Sequence, residues 1–547
     1  MKRNLFALLM LTPLLLSCGG SVSSASSEAS LITSSAEPSA SQPSLSSSTP
    51  SSISSSDEST LPSSSSEVIY SGSPSFSSSS VEKTDGVYQF YCVNDFHGSV
   101  LEYEEGNRYE AGIAKYFGEL KRLKAEDPEH TIILSAGDMF QGSFESNSNW
   151  GFLVTDCMNA TGFDAMTVGN HEFDYGPTRL LNAVERAEFP VLGANVMRYQ
   201  DGRATNDPWS EKIIPSAIIE RGGNRIGIVG VIGEGQTTSV SSQHVQDIIF
   251  PNPAKFAISE AIRLRQEEGC SLVVAVVHDD MSNVRADFSE KEYFDGVFCG
   301  HSHKPNNDVI GGVPFVQSYS NSRAISHFEI TIKDNASYCS EHNILWSKYN
   351  WEEDADIAEI RDSYILQEDF EARATAVAGT IEGRLTQSEG VPNLCAKAIY
   401  EKYSVKHPEI QCAIVNSQRA SLSGTIDYSD IYKATPFLNH VVIAKVLGSE
   451  IKSEVGYSGV CNFHADHETL DSSSYYYVAC LDYLMYHQSE NKSYNYFPSL
   501  NTDFESKIIA EYEDFPFDIA FDYIKNDLNG TVNYSDFRSS NDGFGEW

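Results

Sequence analysis

The chain has 547 residues, too many for one ordinary hydrophobic core, so two folded domains are the starting expectation. Its 76 acidic residues outnumber the 38 basic ones, for a formal net charge of −38. That balance excludes a nucleic-acid-binding surface built on clustered Lys and Arg, and any phosphate site must rely on metal ions or a few placed cations.

Lys2 and Arg3 precede an apolar stretch over residues 5–16, too short to span a bilayer as a mature helix. It ends Leu15-Leu16-Ser17-Cys18-Gly19, which resembles a bacterial lipoprotein signal, so residues 1–18 are read as a signal peptide ending at a lipidated Cys18. Serine dominates residues 19–82, which cannot bury enough apolar area to offset ordering entropy and are expected to form a disordered tether. The protein is thus expected to be exported and lipid-anchored to the bacterial cell membrane through Cys18 only, with its catalytic domains extracellular. Beyond Cys18 the cysteines fall at 92, 157, 270, 299, 339, 395, 412, 461 and 480; the number is odd and no CxxC pair occurs, which indicates neither a disulfide framework nor a zinc ribbon.

From residue 87 short apolar strands alternate with amphipathic helices. Strands are predicted over 87–93, 131–135, 163–168, 191–196, 225–232, 271–277, 295–299, 313–317 and 327–332, and helices over 111–124, 151–160, 178–187 and 254–268. Apolar runs separated by helices indicate a layered α/β domain, placed at 83–349. Residues 350–383 turn acidic and helical and read as a linker helix. Residues 384–547, richer in Tyr and Phe, form the second domain.

Five segments gather metal-ligating side chains at the ends of apolar runs: Asn94-Asp95-Phe96-His97-Gly98, Gly137-Asp138, Gly169-Asn170-His171-Glu172-Phe173-Asp174, Val277-His278 and Gly300-His301-Ser302-His303. Asp95-x-His97 at a strand end places an oxygen and a nitrogen donor on one face, because strand side chains repeat every two residues. Ligands in layered α/β sheets collect beyond the carboxyl ends of strands, where all of these fall. Singly, each is ordinary turn chemistry; jointly they describe a two-metal hydrolytic centre.

The set Asp-x-His, Gly-Asp, Gly-Asn-His-Glu, His and Gly-His-x-His resembles the calcineurin-like metallophosphoesterase superfamily. Asn94–Gly98 and Gly169–Gly176 resemble its bacterial 5′-nucleotidase branch, which includes UDP-sugar hydrolases and 2′,3′-cyclic phosphodiesterases. The resemblance implies a layered α/β-β-α metallophosphoesterase domain followed by a smaller α+β 5′-nucleotidase C-terminal domain. It implies that Asp95, His97, Asp138 and His303 hold one divalent ion and that Asp138, Asn170, His278 and His301 hold the other, with Asp138 bridging. Many relatives carry Gln in place of His303. Mixed N and O donors suit Zn, Mn, Fe or Co. His171 is implied as the catalytic histidine, oriented by Asp174.

In the second domain Glu389-Gly390-Val391-Pro392-Asn393-Leu394 resembles a Glu-x-x-x-Asn-Leu segment, and Asn416-Ser417-Gln418-Arg419 falls where relatives carry an Asn-x-Gly-Gly-x-Arg loop, here without the glycines. Tyr428–Tyr432 and Pro436-Phe437 also match. Arg419, the sole arginine between 385 and 537, is the candidate phosphate ligand, since a guanidinium fork matches phosphate oxygens. Asn416 and Asn393 are further candidate substrate contacts, with Tyr457 or Phe463 and Tyr496 as candidate base-stacking rings. The expected protein is an extracellular two-metal phosphoester hydrolase, a 5′-nucleotidase releasing nucleoside and phosphate by attack of a metal-bridging hydroxide on a nucleotide or other small phosphoester. The alternatives are a 2′,3′-cyclic-nucleotide or UDP-sugar diesterase and a catalytically retired surface binding protein. Oligomeric state is open.

Overall fold

The computed structural model describes residues 82–416, 418–455, 470–489 and 493–538 and the backbone of the short strand Asn462–Phe463. The signal peptide, Cys18 and the serine-rich tether lie outside the described residues. Among the described residues no helix is long and apolar enough to cross a membrane.

Two six-stranded sheets form the first half. One runs, in spatial order, Ala336–Trp346, Ala324–Lys333, Gly86–Val93, Thr131–Ser135, Ala165–Thr167 and Val191–Leu192. The other runs Asn306–Ile310, Val313–Gln317, Gly296–Cys299, Leu272–His278, Asn224–Ile232 and Ser216–Arg221. The central strands are parallel and mostly apolar, because both faces are covered. Phe90, Ile132 and Leu134 of the first sheet share one buried cluster with Ile226, Val274, Val276 and Phe298 of the second. The outer face of the first sheet packs on helices Gly112–Glu126, Phe152–Thr161 and Pro177–Arg186, and that of the second on Pro253–Gln266. The result is an α-β-β-α layering.

The register of the parallel pairs decides where the motifs land. Val93 sits beside Ser135, Ile232 beside His278, and Val277 beside Cys299. The loops that leave these strands therefore emerge side by side at one carboxyl edge.

The sequence missed the half-exposed outer strands Ser216–Arg221, Asn306–Ile310 and Ala336–Trp346, whose polar, partly solvated faces blunt any apolar signal. The run predicted at 191–196 is a strand only over Val191–Leu192, since the chain then turns to seat Asn195 on the Ile232 and Pro251 carbonyls. The single linker helix expected over 350–383 is two helices, Ala355–Ile365 and Glu368–Ala374, and from Val377 the chain is already a strand.

That strand, Val377–Leu385, sits between Leu422–Asp427 and Thr531–Asn533 in a three-stranded sheet. A five-stranded sheet of Asn462–Phe463, Ile410–Ile414, Tyr475–Leu481, Val441–Leu447 and Ile508–Tyr512 lies beyond. Helices Gly390–Ser404, Tyr428–Ala434 and Pro516–Asp522 pack on them in a separate core, an α+β arrangement. The two halves belong to one compact unit. Phe144 of the first half buries among Phe370, Tyr428 and Tyr432, and the Pro436 carbonyl accepts from Gln141 Nε2 and Asn147 Nδ2, each at 3.0 Å.

Candidate active site

Five of the seven expected metal ligands have left-handed backbone: Asp95 (φ 52°), His97 (49°), Asp138 (57°), His301 (70°) and His303 (56°). Non-glycine residues rarely adopt this region, and a cluster of them marks backbone held against its preference by surrounding structure. The observation also corrects the reason given for Asp95 and His97. The strand ends at Val93, so the two side chains converge through consecutive tight turns and not through strand alternation.

Backbone hydrogen bonds lock these turns together. Asp95 N–H donates to the Gly137 carbonyl and His97 N–H to the Asp138 carbonyl, both at 3.0 Å. The buried Glu172 carboxylate accepts from Asp138 N–H (2.8 Å), Met139 N–H (2.7 Å) and Gly169 N–H (2.6 Å), tying the Asp138 loop to the Gly169–Asp174 segment. Burial and the neighbouring Asp138 raise its pKa to about 7. The sequence reading gave Glu172 no role. Gly169 is required sterically, since a Cβ there would collide with Asp138.

The polar atoms converge on two points. On one side Asp95, His97 and His303 form a group; on the other, Asp138, His278 and His301 do. His97 Nε2 and His303 Nε2 are 2.9 Å apart, and Asp95 Oδ1 lies 3.3 Å from His303 Nε2. The His97 Nδ1–H donates to the Gln141 carbonyl at 3.0 Å, which in the neutral ring leaves Nε2 as a lone pair facing inward. His278 repeats this: its Nδ1–H donates to the Ala136 carbonyl at 2.7 Å, while Nε2 faces Asn170 Oδ1 at 3.0 Å and Asp138 Oδ2 at 3.2 Å. Asn170 Oδ1 is also 3.0 Å from His301 Nδ1.

These atoms fit cations. Asp138 Oδ2 is buried and makes no hydrogen bond, although His278 Nε2 lies 3.2 Å away, and the cluster around it combines four imidazoles with the oxygens of Asp95, Asp138 and Asn170, a donor set of divalent-metal type. The electrostatics agree. Burial pushes His97 well below the usual histidine range and His301 down to about 4. At His278 burial opposes charge, but Asp138 overrides it and raises the ring to about 10. At Asp95 burial also opposes charge, yet His303 and His278 hold the carboxyl down to about 2. Such a cluster draws positive charge inward, from protons or from metal ions.

His171 lies in a third group with His97 and Asp138, but both its ring nitrogens are engaged. Nδ1 is 2.6 Å from Asp174 Oδ2, and Nε2 is 2.6 Å from Arg419 Nη2. Burial lowers the His171 pKa, and Asp174 and Asp138 more than reverse it. Arg419 is partly buried, which depresses its pKa, and its guanidinium lies 5.2 Å from the Phe437 ring centroid.

Beside this dyad is a cavity of about 230 Å³ lined by Asn170, His171, Asn416, Arg419, Phe437 and Tyr483, among others. Asn416 reaches it, and its Oδ1 has no hydrogen-bond partner. The structure does not bring Asn393 there: in the helix Gly390–Ser404 it donates to the Phe537 carbonyl at 2.8 Å, a structural tie to the C-terminal segment. Tyr496 packs on His487, 4.5 Å between ring centroids, and lines neither main cavity. Tyr457 and the Phe463 side chain lie outside the described residues. The aromatic walls are instead Phe437 and Tyr483. The Pro436-Phe437 match was a signal for the first; nothing in the local pattern around Tyr483 separates it from a core tyrosine.

Residues 88–305 match the calcineurin-like phosphoesterase family and residues 372–456 the 5′-nucleotidase C-terminal domain. An apyrase from Tabanus yao is 31% identical over 240 residues, 42% of each chain. A snake venom 5′-nucleotidase from Crotalus adamanteus is 26% identical over 415 residues, 67% of this chain and 69% of the relative. Among solved structures, that of a 5′-nucleotidase precursor from Thermus thermophilus shares the fold with a TM-score of 0.69 at 19% identity, covering 84% of this chain and 99% of that one.

Proposed function

We propose that this chain, which belongs to the calcineurin-like phosphoesterases and carries a 5′-nucleotidase C-terminal domain, is a 5′-nucleotidase that releases nucleoside and phosphate. It is a metal-dependent phosphoester hydrolase; the nucleotide specificity is the proposal. The observation that carries it is the position of the Phe437–Tyr483 cavity directly beside His171, Arg419 and the ligand cluster. An aromatic-walled space of this size suits a nucleoside.

Asp95, His97, Asp138 and His303 would hold one divalent ion, and Asp138, Asn170, His278 and His301 the other, drawn from Zn, Mn, Fe or Co. When bound, the pair supplies Lewis-acid activation of water near neutral pH and neutralises charge on phosphoryl oxygens. Everything else is done by side chains. Arg419 would exchange its contact with His171 Nε2 for the substrate phosphate, whose oxygens suit its fork better than an imidazole does. His171, its Nδ1–H held by Asp174 and its second protonation favoured by Asp174 and Asp138, would then take a proton from solvent on Nε2 and present it to the leaving ribose oxygen as stabiliser or proton donor. Phe437 and Tyr483 would hold the base, and their cavity excludes bulk water from the leaving group.

The signal-like sequence of residues 1–18, with Cys18 following Leu15-Leu16-Ser17, supports placement at the outer face of a bacterial membrane, with 83–349 as catalytic domain, 350–383 as linker and 384–547 as substrate domain. Purified protein loaded in turn with Mn, Zn and Co is expected to release phosphate from AMP or UMP, to lose that activity in EDTA and to regain it on metal addition. A metal-loaded chain that releases no phosphate from AMP, UMP, ADP, UDP-glucose, 2′,3′-cyclic AMP or a generic aryl phosphate would leave only the binding-protein reading.

A further inference from the structure

A larger cavity, about 440 Å³, also opens on the ligand cluster, through His97 and His303, but Phe437 and Tyr483 line only the smaller one, so a base held by these rings lies there. The wall of the smaller cavity carries three acceptors that the proposed chemistry leaves unused, on Asn416, His244 and Asp482. Asn416 Oδ1 has no hydrogen-bond partner. His244 Nδ1 has none either, while the Phe173 carbonyl engages the ring from its other side, so the ring proton resides on Nε2 and Nδ1 is a lone pair. Buried acceptors are normally satisfied, so open ones around one space call for a ligand that brings donors.

Asp482 is the strongest acceptor of the three. It is 6% exposed and opens the short helix Asp482–Met485, next in the chain to the Tyr483 ring. Its Oδ1 accepts from Tyr483 N–H at 2.7 Å, and Oδ2 lies 3.7 Å from His440 Nδ1, beyond hydrogen-bond reach. Burial raises its carboxyl to about 6, against the pull of the His440 backbone and ring and the Tyr483 N–H, so it is an anion at neutral pH. An ionised carboxylate has about four lone-pair sites, more than Tyr483 and His440 use, and the remainder serve a ligand in the cavity that Asp482 lines.

We infer that Asp482 selects the base and that the preferred substrate carries guanine, whose N1–H and N2–H donate as a fork to the Asp482 carboxylate. The inference rests on the nucleotidase reading proposed above and names the nucleotide which that site prefers. Among the common bases guanine alone sets two N–H donors side by side on one edge. Adenine and cytosine set a ring-nitrogen lone pair beside their amino group, and uracil flanks its single N3–H with two carbonyl oxygens. Each of those lone pairs would face an anion, whereas the guanine edge makes two charge-assisted hydrogen bonds. Asn416, in the loop that delivers Arg419, and His244, close to Asp174, stand at the phosphate end and accept from the ribose hydroxyls.

The test is kcat/KM for GMP, IMP and AMP on the metal-loaded wild type, Asp482→Asn and Asp482→Ala. In the wild type GMP is expected to exceed AMP by about 10- to 150-fold, the range for hydrogen bonds to a charged group, chiefly through KM. IMP, which lacks the 2-amino group, should fall between them. In both variants the GMP-to-AMP ratio should drop toward one. Each ratio compares two substrates on one preparation, so unfolded enzyme cancels from it, and the wild-type ranking needs no variant at all. A wild type that treats GMP and AMP alike, or a guanine preference that survives in both variants, overturns the inference and leaves the nucleotidase reading standing. A wild type that releases phosphate from a generic aryl phosphate but from no nucleotide overturns that reading, and the inference with it.

Discussion

Arg419 and His171, 248 residues apart in the chain, meet with Nη2 and Nε2 2.6 Å apart. A guanidinium can only donate, so Nε2 accepts and the ring proton resides on Nδ1, against Asp174. The C-terminal domain thus sets the tautomer of an imidazole in the catalytic domain.

Arg419→Ala should lower kcat/KM for a nucleotide by about 10- to 150-fold, the equivalent of ~1.5–3 kcal/mol for hydrogen bonds to a charged group. Bound metal should be unchanged by elemental analysis. Arg419→Lys should recover only part of the loss, because a point charge replaces a fork. Wild-type kinetics in the alanine variant would remove Arg419 from substrate binding.

His171→Asn should cut kcat by about 10²- to 10⁴-fold, the usual contribution of a positioned acid–base group, with metal content intact. The ring sits in one group with His97 and Asp138, so elemental analysis is the decisive measurement. Metal lost along with activity would make His171 a ligand.

Asp138 stands where the two ligand groups meet: Oδ1 accepts from His171 N–H at 2.8 Å and Oδ2 is unmatched. Asp138→Ala should therefore lose both ions, and His303→Ala should keep at least one. Equilibrium dialysis with Mn or Zn counts them, and the rise in Tm that metal gives the wild type should vanish in Asp138→Ala. Equal metal loss in the two variants would argue against a shared carboxylate.

Asp295, buried under the second sheet, accepts from Arg265 Nη2, Lys291 Nζ and Ser337 Oγ at 2.8 Å each and from Val273 N–H at 2.9 Å. Burial opposes its charge, but Arg265, Lys291 and Lys83 hold the carboxyl well below the usual carboxylate range. A depressed folded pKa means stability present above the unfolded value of about 3.9 and lost as pH falls toward the folded one. Asp295→Asn should cost roughly 3–5 kcal/mol at pH 7 by urea denaturation, as for a broken buried ion pair. The gap to wild type should narrow below about pH 4. A gap independent of pH would assign the loss to packing.

Much of the catalytic half was legible in the sequence, because its central strands are continuous apolar runs and its ligands are unusual residue types at strand ends. The substrate half was less so. Asn393 looked like a contact and is a helix-to-tail tie; Phe437 stood out only as part of a matching segment and Tyr483 not at all, yet both line the cavity. An aromatic or amide residue reads the same in sequence whether it faces a core or a ligand.

The sequence by itself determined the chemistry: which donors exist, in what order, and that each closes a strand of a parallel sheet. Only the tertiary structure decided the geometry. Strand register set Asp95 beside Gly137, left-handed turns aimed Asp95, His97, Asp138, His301 and His303 inward, and the docking of two domains brought Arg419 onto His171. Local preference cannot specify these features, because left-handed turns at aspartate and histidine run against it, and long-range packing alone holds them in place.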